Sequence, residues 1–330
     1  MKSIQEIKEL LQALGKPGHV SKDALAFALH LKKMDRLENN IEFNAFAMQD
    51  DEVEELGNSI ADLISECTKD FRFQIAYANW DNIVNHWSFL EFDFKGSETP
   101  PTLNILVCDP LGLKQSTVLA TRLSNTLGFG FLSKYCNLTV FLATDTLQQA
   151  GKTCPYFTLD SVAMLSNQDE FVSTYEYMSE HQNQEATNKT LQELDSYRQA
   201  VSSGVEDPSE LDDVYNFKVI VSKLPVRLAR TKHDVAALQA QSENNMEIVN
   251  RKQETFASSV QRRLIYIEDR NHIASLRNLR TNLKMKKWED RVGLLEDQEL
   301  NNFEQSVADH SLKGLAEAVK GMLTNTLTPK

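Results

Sequence analysis

Cys154 lies in the run QQAGKTCPYFTLDSVAML, residues 148–165, after a short polar loop and directly before Pro155. Beyond it Phe157, Val162 and Leu165 recur at helical spacing, which predicts a helix starting at Pro155 with the thiol at its N-cap. Unpaired amide N–H groups and the helix dipole at such a place favour the thiolate, the nucleophilic form of cysteine. Proline suits the first helical position, because its missing N–H would find no partner there. The plainer reading of Cys154 is a small, buried, apolar residue.

A nucleophilic thiol needs a general base, and the base needs an acid to orient it. His86 opens the run HWSFLEFDF, Asp109 closes LNILVCD 23 residues later, and Cys154 follows after a further 45. Neighbouring strand ends facing a helix N-terminus can bring these three side chains together without strain. Gln148 and Gln149 stand six and five positions before the thiol and offer an amide donor for an oxyanion. The other six histidines fall in helical or polar stretches with no comparable acid partner. Cys108, beside Asp109, reads as core within an apolar strand.

These residues need elements to hold them. Residues 3–14 and 21–35 have helical periodicity, with Lys16-Pro17-Gly18 as the breaker between them and Ser21 as an N-cap. A third helix is expected over 51–68, with acidic residues in its first turn. The period then changes: 71–78 and 86–94 alternate as half-buried strands do, and 102–109 is a short apolar run suited to a central strand. A helix from about Gln115 to Leu127 closes on Gly128, and 137–145 forms a fourth strand before the Cys154 helix. Residues 216–225 suggest one more strand, and from Asp234 to about Val319 the pattern is mostly helical and highly charged. The fold class is α+β, with helices layered on a mixed sheet. Four regions are expected: an N-terminal helical segment at 1–60, a core carrying the three candidate residues at 61–170, a helical basic region at 171–300, and an amphipathic helix with a tail at 301–330. That last helix is expected to pack on its own protein.

Composition sets outer bounds. The chain has 330 residues, 41% of them hydrophobic and 25% charged, enough for one large domain or two small ones. No apolar run approaches the ~20 residues needed to cross a bilayer, and the N-terminus has no small-residue cleavage site of the secretory type. Cys67, Cys108, Cys136 and Cys154 are scattered, which argues for free thiols in a reducing compartment and against a disulfide framework or a metal site. The net charge of −12 disfavours a general nucleic-acid binder. From Ile220 to Arg291, however, 15 Lys and Arg face 8 Asp and Glu. Such a segment suits a compact anionic partner, or else it pairs with the acidic remainder of the chain.

Taken in order, the motifs resemble those of the clan CE cysteine enzymes, which include the ubiquitin-like-protein proteases, and within that clan the YopJ family of bacterial effector acetyltransferases. HWSFLEFDF resembles the family's His-x-Ser-hydrophobic-hydrophobic-Asp strand. LNILVCDP resembles its hydrophobic strand ending in Glu-Pro, and QQAGKTCPYFTLDSVAML its Gln-x5-Cys-Gly-x-Phe-Ser/Thr helix. Downstream, LPVRLARTKH (224–233) and NRKQET (250–255) resemble the family's Leu-Pro segment leading to Lys-His and its Asn-Lys-Lys-x-Glu-Thr stretch. The resemblance runs from about Ile60 to Leu295, with gaps.

The resemblance implies a papain-like, clan CE catalytic core with a helical regulatory portion. It also implies transfer of acetyl from acetyl-CoA, through a Cys154 thioester, to Ser, Thr or Lys of host proteins. Cys154 would be the nucleophile, His86 the general base, Asp109 the orienting acid and Gln148 the oxyanion donor. Delivery by a bacterium into the host cell cytoplasm is implied too, with a signalling kinase among the candidate substrates. So is activation by inositol hexakisphosphate (IP6), for which Arg227, Arg230, Lys232, His233, Arg251, Lys252, Lys284 and Lys287 form a pool of ligands in the basic segment.

The chain departs from the family pattern at three places. Asp109 stands where Glu is usual, and Pro155 stands where Gly is usual, removing one backbone N–H. The Lys-His pair lies two residues further from Leu-Pro, so either Arg230 or Lys232 holds the family's regulatory lysine position. Two other readings use the same residues: a protease that removes ubiquitin or a related modifier, and a catalytically silent binding effector. The basic segment separates the first of these from acetyl transfer, because proteolysis has no need of it.

Overall fold

The computed structural model describes residues 2–16, 19–38, 42–81, 84–148, 154–166, 173–202, 217–229, 235–249, 253–261 and 286–324. Two N-terminal helices, α1 (Ile4–Gln12) and α2 (Lys22–Leu37), lead into strand β1 (Ala45–Gln49) and helix α3 (Val53–Glu66). The hairpin β2 (Asp70–Asp81) and β3 (Val84–Lys95) follows, then β4 (Thr102–Cys108), α4 (Leu113–Thr126), α5 (Phe129–Leu132) and β5 (Asn137–Ala143). Helix α6 (Cys154–Leu165) carries the candidate thiol. Beyond it come α7 (Thr174–Glu180), α8 (Gln184–Ser202), β6 (Lys218–Ser222), α9 (Val226–Ala229) and α10 (Val235–Ser242). The chain closes with α11 (256–261), α12 (286–293), α13 (Asp297–Asn301), α14 (Phe303–Asp309) and α15 (Leu312–Thr324).

The strands form one mixed sheet in the order β1-β2-β3-β4-β5-β6. β1 runs parallel to β2, β2–β3–β4 is an antiparallel meander, and β5 and β6 run parallel to β4. The period-2 alternation of β2 and β3 sends side chains to two different cores. One face carries Ala76, Ala78, Trp87, Phe89 and Cys108 and is packed by α2, α6 and α14; the small alanines let those helices approach closely. The other face carries Phe73, Ile75, Tyr77, Leu90 and Phe92 under α3, α4 and α15, with the Phe73 and Phe92 rings stacked at 4.9 Å.

The alternation predicted for 71–78 and 86–94 is present and extends a few residues at each end. Ser21 caps α2 by accepting from the Ala24 N–H at 3.2 Å, and Gly128 sits at φ 63° between α4 and α5. The sequence pattern predicts no strand at 45–49, where β1 forms. That strand is short, and its outer side is completed by a distant segment: the Ala47 N–H donates to His310 O at 2.8 Å, and His310 Nδ1 bonds Ala45 O at 2.7 Å. The amphipathic C-terminal helix packs on its own protein as expected, burying Leu312, Leu315 and Val319. The opposite edge of the sheet is covered as well. The Val221 N–H donates to Thr187 Oγ1, and the Asn183 N–H donates to Val221 O. Both outer strands therefore have partners for backbone groups that would otherwise template pairing with another chain.

Candidate active site

The β2–β3 hairpin reaches past the end of β4. Phe89 pairs with Cys108, the last residue of β4, so His86 projects three residues beyond that end and beside Asp109. His86 Nε2 lies 2.6 Å from Asp109 Oδ2. The same carboxylate oxygen accepts from Ser88 Oγ at 2.7 Å, and Oδ1 accepts from the Leu111 N–H at 2.8 Å. The Asp109 N–H donates to Ser116 Oγ at 2.9 Å, which ties the residue to the first turn of α4. Asp109 is 1% exposed. A carboxylate so buried is tolerable because charge-assisted bonds surround it.

The loop after β5 is bound to the loop after β4. Pro110 O accepts from the N–H groups of both Leu147 and Gln148, at 2.9 and 2.8 Å. Gly112 makes this junction possible: its φ is 106°, and a Cβ there would stand 2.7 Å from Thr146 Oγ1. Gln148 is thereby held, buried, beside the Asp109 turn.

α6 is described from Cys154 onward, so Cys154 and Pro155 stand at the helix end that the sequence predicts for them. Cys154 is buried beside the His86 ring. Burial is the largest single influence on the His86 ring and opposes its charge. The hydrogen bonds and charges of Asp109 and Cys154 together outweigh it, raising the ring's pKa to about 10. His86 thus stands between an acid and a thiol, in the order nucleophile, base, orienting acid. Cys108 lies fully inside the sheet, where burial and the charges of Asp109 and Asp145 push its thiol pKa well above the ordinary value. It is core.

Ser88 is a residue that sequence reasoning quotes in a motif without giving it work. Its signal is the spacing: two positions after His86 on a strand is the same face. The basic pool behaves differently. Arg230, Lys232, His233, Arg251, Lys252 and Lys284 lie outside the described residues. Arg227 is buried on α9 with Glu247 among its charged neighbours, and Lys287 is exposed on α12.

Lys287 joins a cluster that sequence reasoning does not assemble. Arg291 Nη1 and Nη2 each meet an Asp35 carboxylate oxygen at 3.0 Å, and Nη2 also donates to Leu31 O at 3.2 Å. Lys32 lies among Asp35, Arg291, Arg36 and Lys287; its amine pKa is lowered, first by burial and then by those three cations, with Asp35 opposing. Arg291, Lys32 and Arg36 thus act on the Asp35 carboxylate, and Lys287 lies near Lys32. Lys32 and Arg36 come from the acidic front half, where the sequence alone points to no such cluster; they share a helix face as an i, i+4 pair. Among the described residues no group of three or more His, Cys, Asp or Glu could hold a metal ion.

The family model for the YopJ serine/threonine acetyltransferases matches residues 3–286. The chain belongs to that family. It is thus an acetyltransferase by descent, on an α+β fold built around a mixed sheet. Solved structures of two YopJ-type effectors are similar to it. A single-residue deletion variant of AvrA, with IP6 and CoA, is 16% identical, with 78% of this chain and 88% of that chain covered at a TM-score of 0.44. HopZ1a with IP6 and CoA is 14% identical, with 78% and 81% covered at 0.42. No curated protein sequence matches the chain. The YopJ family model starts at residue 3 and so takes in α1 and α2, which the motif resemblance leaves out.

Proposed function

We propose that the chain moves an acetyl group from acetyl-CoA to Ser, Thr or Lys side chains of host proteins through an acetyl-Cys154 thioester. The observation that carries the reading is the convergence of His86 on both Asp109 and Cys154 in a chain of this family. His86 Nε2 is taken by Asp109, which leaves Nδ1 to receive the thiol proton. The Cys154 thiolate then attacks the acetyl carbonyl, and its oxyanion is met by the Gln148 side-chain amide and the Cys154 N–H. His86 returns the proton to the departing CoA sulfur. In the second half His86 takes a proton from the acceptor hydroxyl or amine, which attacks the thioester and frees Cys154. Asp109 holds the ring and offsets the imidazolium charge, with Ser88 and the Leu111 N–H fixing the carboxylate.

IP6 is the activator in this reading, and Lys32, Arg36, Lys287 and Arg291 are its ligands; an excess of neighbouring cations suits a polyphosphate. Arg227, beside Glu247, is better placed to hold its own fold together. The same reading places the protein in the host cytoplasm after delivery by a bacterium. Among the described residues no helix is long and apolar enough to cross a membrane.

Intact mass after incubation with acetyl-CoA tests this, with and without IP6 and beside Cys154→Ala. An adduct of one acetyl group is expected on the parent with IP6 and none on the variant. A parent that stays unmodified while a ubiquitin vinyl probe labels Cys154 would replace acetyl transfer by proteolysis.

A further inference from the structure

His86 stands on an overhang of the sheet. β1 pairs with β2 only as far as Ala78, and β4 pairs with β3 only from Phe89 onward. Among the described residues, 79–81 and 84–88 therefore pair only with each other. A two-stranded ribbon is marginally stable by itself in water, yet this one carries His86 and Ser88.

The register shows where support enters. Asn79 lies directly opposite His86, and Tyr77 directly opposite Ser88, so each pair shares a face of the sheet. That face is the one packed by α3, α4 and α15. Arg122, on α4, donates through Nη1 to Asn79 Oδ1 and through Nη2 to Asp50 Oδ2. Asp50, in the turn after β1, accepts from Tyr77 Oη with its other oxygen. Both rungs that bear active-site residues thus end on one ion pair. α4 also holds the acid, since the Asp109 N–H donates to Ser116 Oγ at 2.9 Å.

We propose that Arg122 is a positioning residue for His86: with Asp50 it ties the overhang to α4 and so sets the ring against Asp109 and Cys154. The Arg122 and Asp50 side chains are 36% and 24% exposed, and an ion pair so wet adds little to stability. Its larger contribution is geometric. A planar guanidinium fork holds an amide oxygen and a carboxylate at fixed angles, where an ammonium offers a single point of charge. The base and its acid are then mounted on the same helix, through Arg122 and Ser116. A misplacement of ~1 Å can cost about 100-fold in rate, so the free twisting of the ribbon is what the mount must stop. The inference rests on reading His86 as the base of Cys154.

The test uses the full chain without acetyl-CoA and follows alkylation of Cys154 by iodoacetamide against pH, read by peptide mass. A thiol facing a well-placed imidazolium reacts with a midpoint below the ordinary ~8.5, and His86→Ala gives the midpoint without the base. Loss of folded protein changes the rate at every pH and leaves the midpoint of the folded fraction in place. Arg122→Leu and Asn79→Ala are each expected to raise the midpoint by about one unit, or about 10-fold less thiolate below it, with melting temperatures close to the parent's. A parental midpoint in folded Arg122→Leu overturns the proposal. So does one in Asn79→Ala, which leaves the ion pair in place and decides the matter if the arginine variant does not fold. A parent whose midpoint equals that of His86→Ala would remove the base itself, and the role of Arg122 with it.

Discussion

Asp109 is held by more than the histidine it orients. Ser88 Oγ shares Oδ2 with His86 Nε2, at 2.7 and 2.6 Å, and both Ser88 and Asp109 are buried. A hydrogen bond to a buried charge contributes about 1.5–3 kcal/mol. Ser88→Ala is therefore expected to lower stability by roughly that amount in urea titrations. It should also slow acetyl loading of Cys154 more than it weakens acetyl-CoA binding, since it loosens the base and not the substrate. Equal loss in both would mean that Ser88 supports the strand and not the carboxylate.

At the scale of elements, the site is an agreement between loops. β4 and β5 stop, and α6 starts, at the same end of the sheet, and the 144–148 loop is tied to Pro110 only because Gly112 leaves room and takes a positive φ. Gly112→Ala combines backbone strain with a contact against Thr146 Oγ1, a cost of about 1–3 kcal/mol. Its expected mark is a lowered melting temperature together with a loss of acetyl loading out of proportion to it, because Gln148 moves with the loop. Loading unchanged in a folded variant would remove Gln148 from the oxyanion role.

The whole molecule is closed by its C-terminal helices, and the closure depends on a neutral histidine. His310 is 1% exposed, bonds Ala45 O through Nδ1, and leaves Nε2 buried without a partner. Burial lowers its pKa to about 4, with Lys33 and His30 adding to the effect and the Ala45 carbonyl and Asp309 opposing it. Because the folded value is depressed below the ordinary 6.5, protonation favours the unfolded chain. The contribution of the neutral ring is full above about 6.5 and is lost as pH falls toward about 4. Urea midpoints should therefore drop between about pH 7 and pH 4.5, and His310→Gln, which keeps a donor for Ala45 O, should flatten that drop. A variant as acid-sensitive as the parent would place the effect elsewhere.

The sequence by itself determined the order and type of nearly every element around the site. Period-2 alternation marked β2 and β3, an apolar run marked β4, and a loop-to-helix junction set the place of Cys154, because these signals are local consequences of side-chain direction. The candidate residues His86, Asp109, Gln148 and Cys154 could be named from their spacing and family likeness. Only the tertiary structure decided what lies between distant segments. β1 is a strand because β2 and a residue 265 positions later, His310, complete its hydrogen bonds. Net charge hid the cationic cluster, since Lys32 and Arg36 belong to a front half that is acidic as a whole and meet Arg291 only after folding. A one-dimensional pattern records which face a side chain takes. It does not record which remote face it will meet, and charges and edge hydrogen bonds act across that gap.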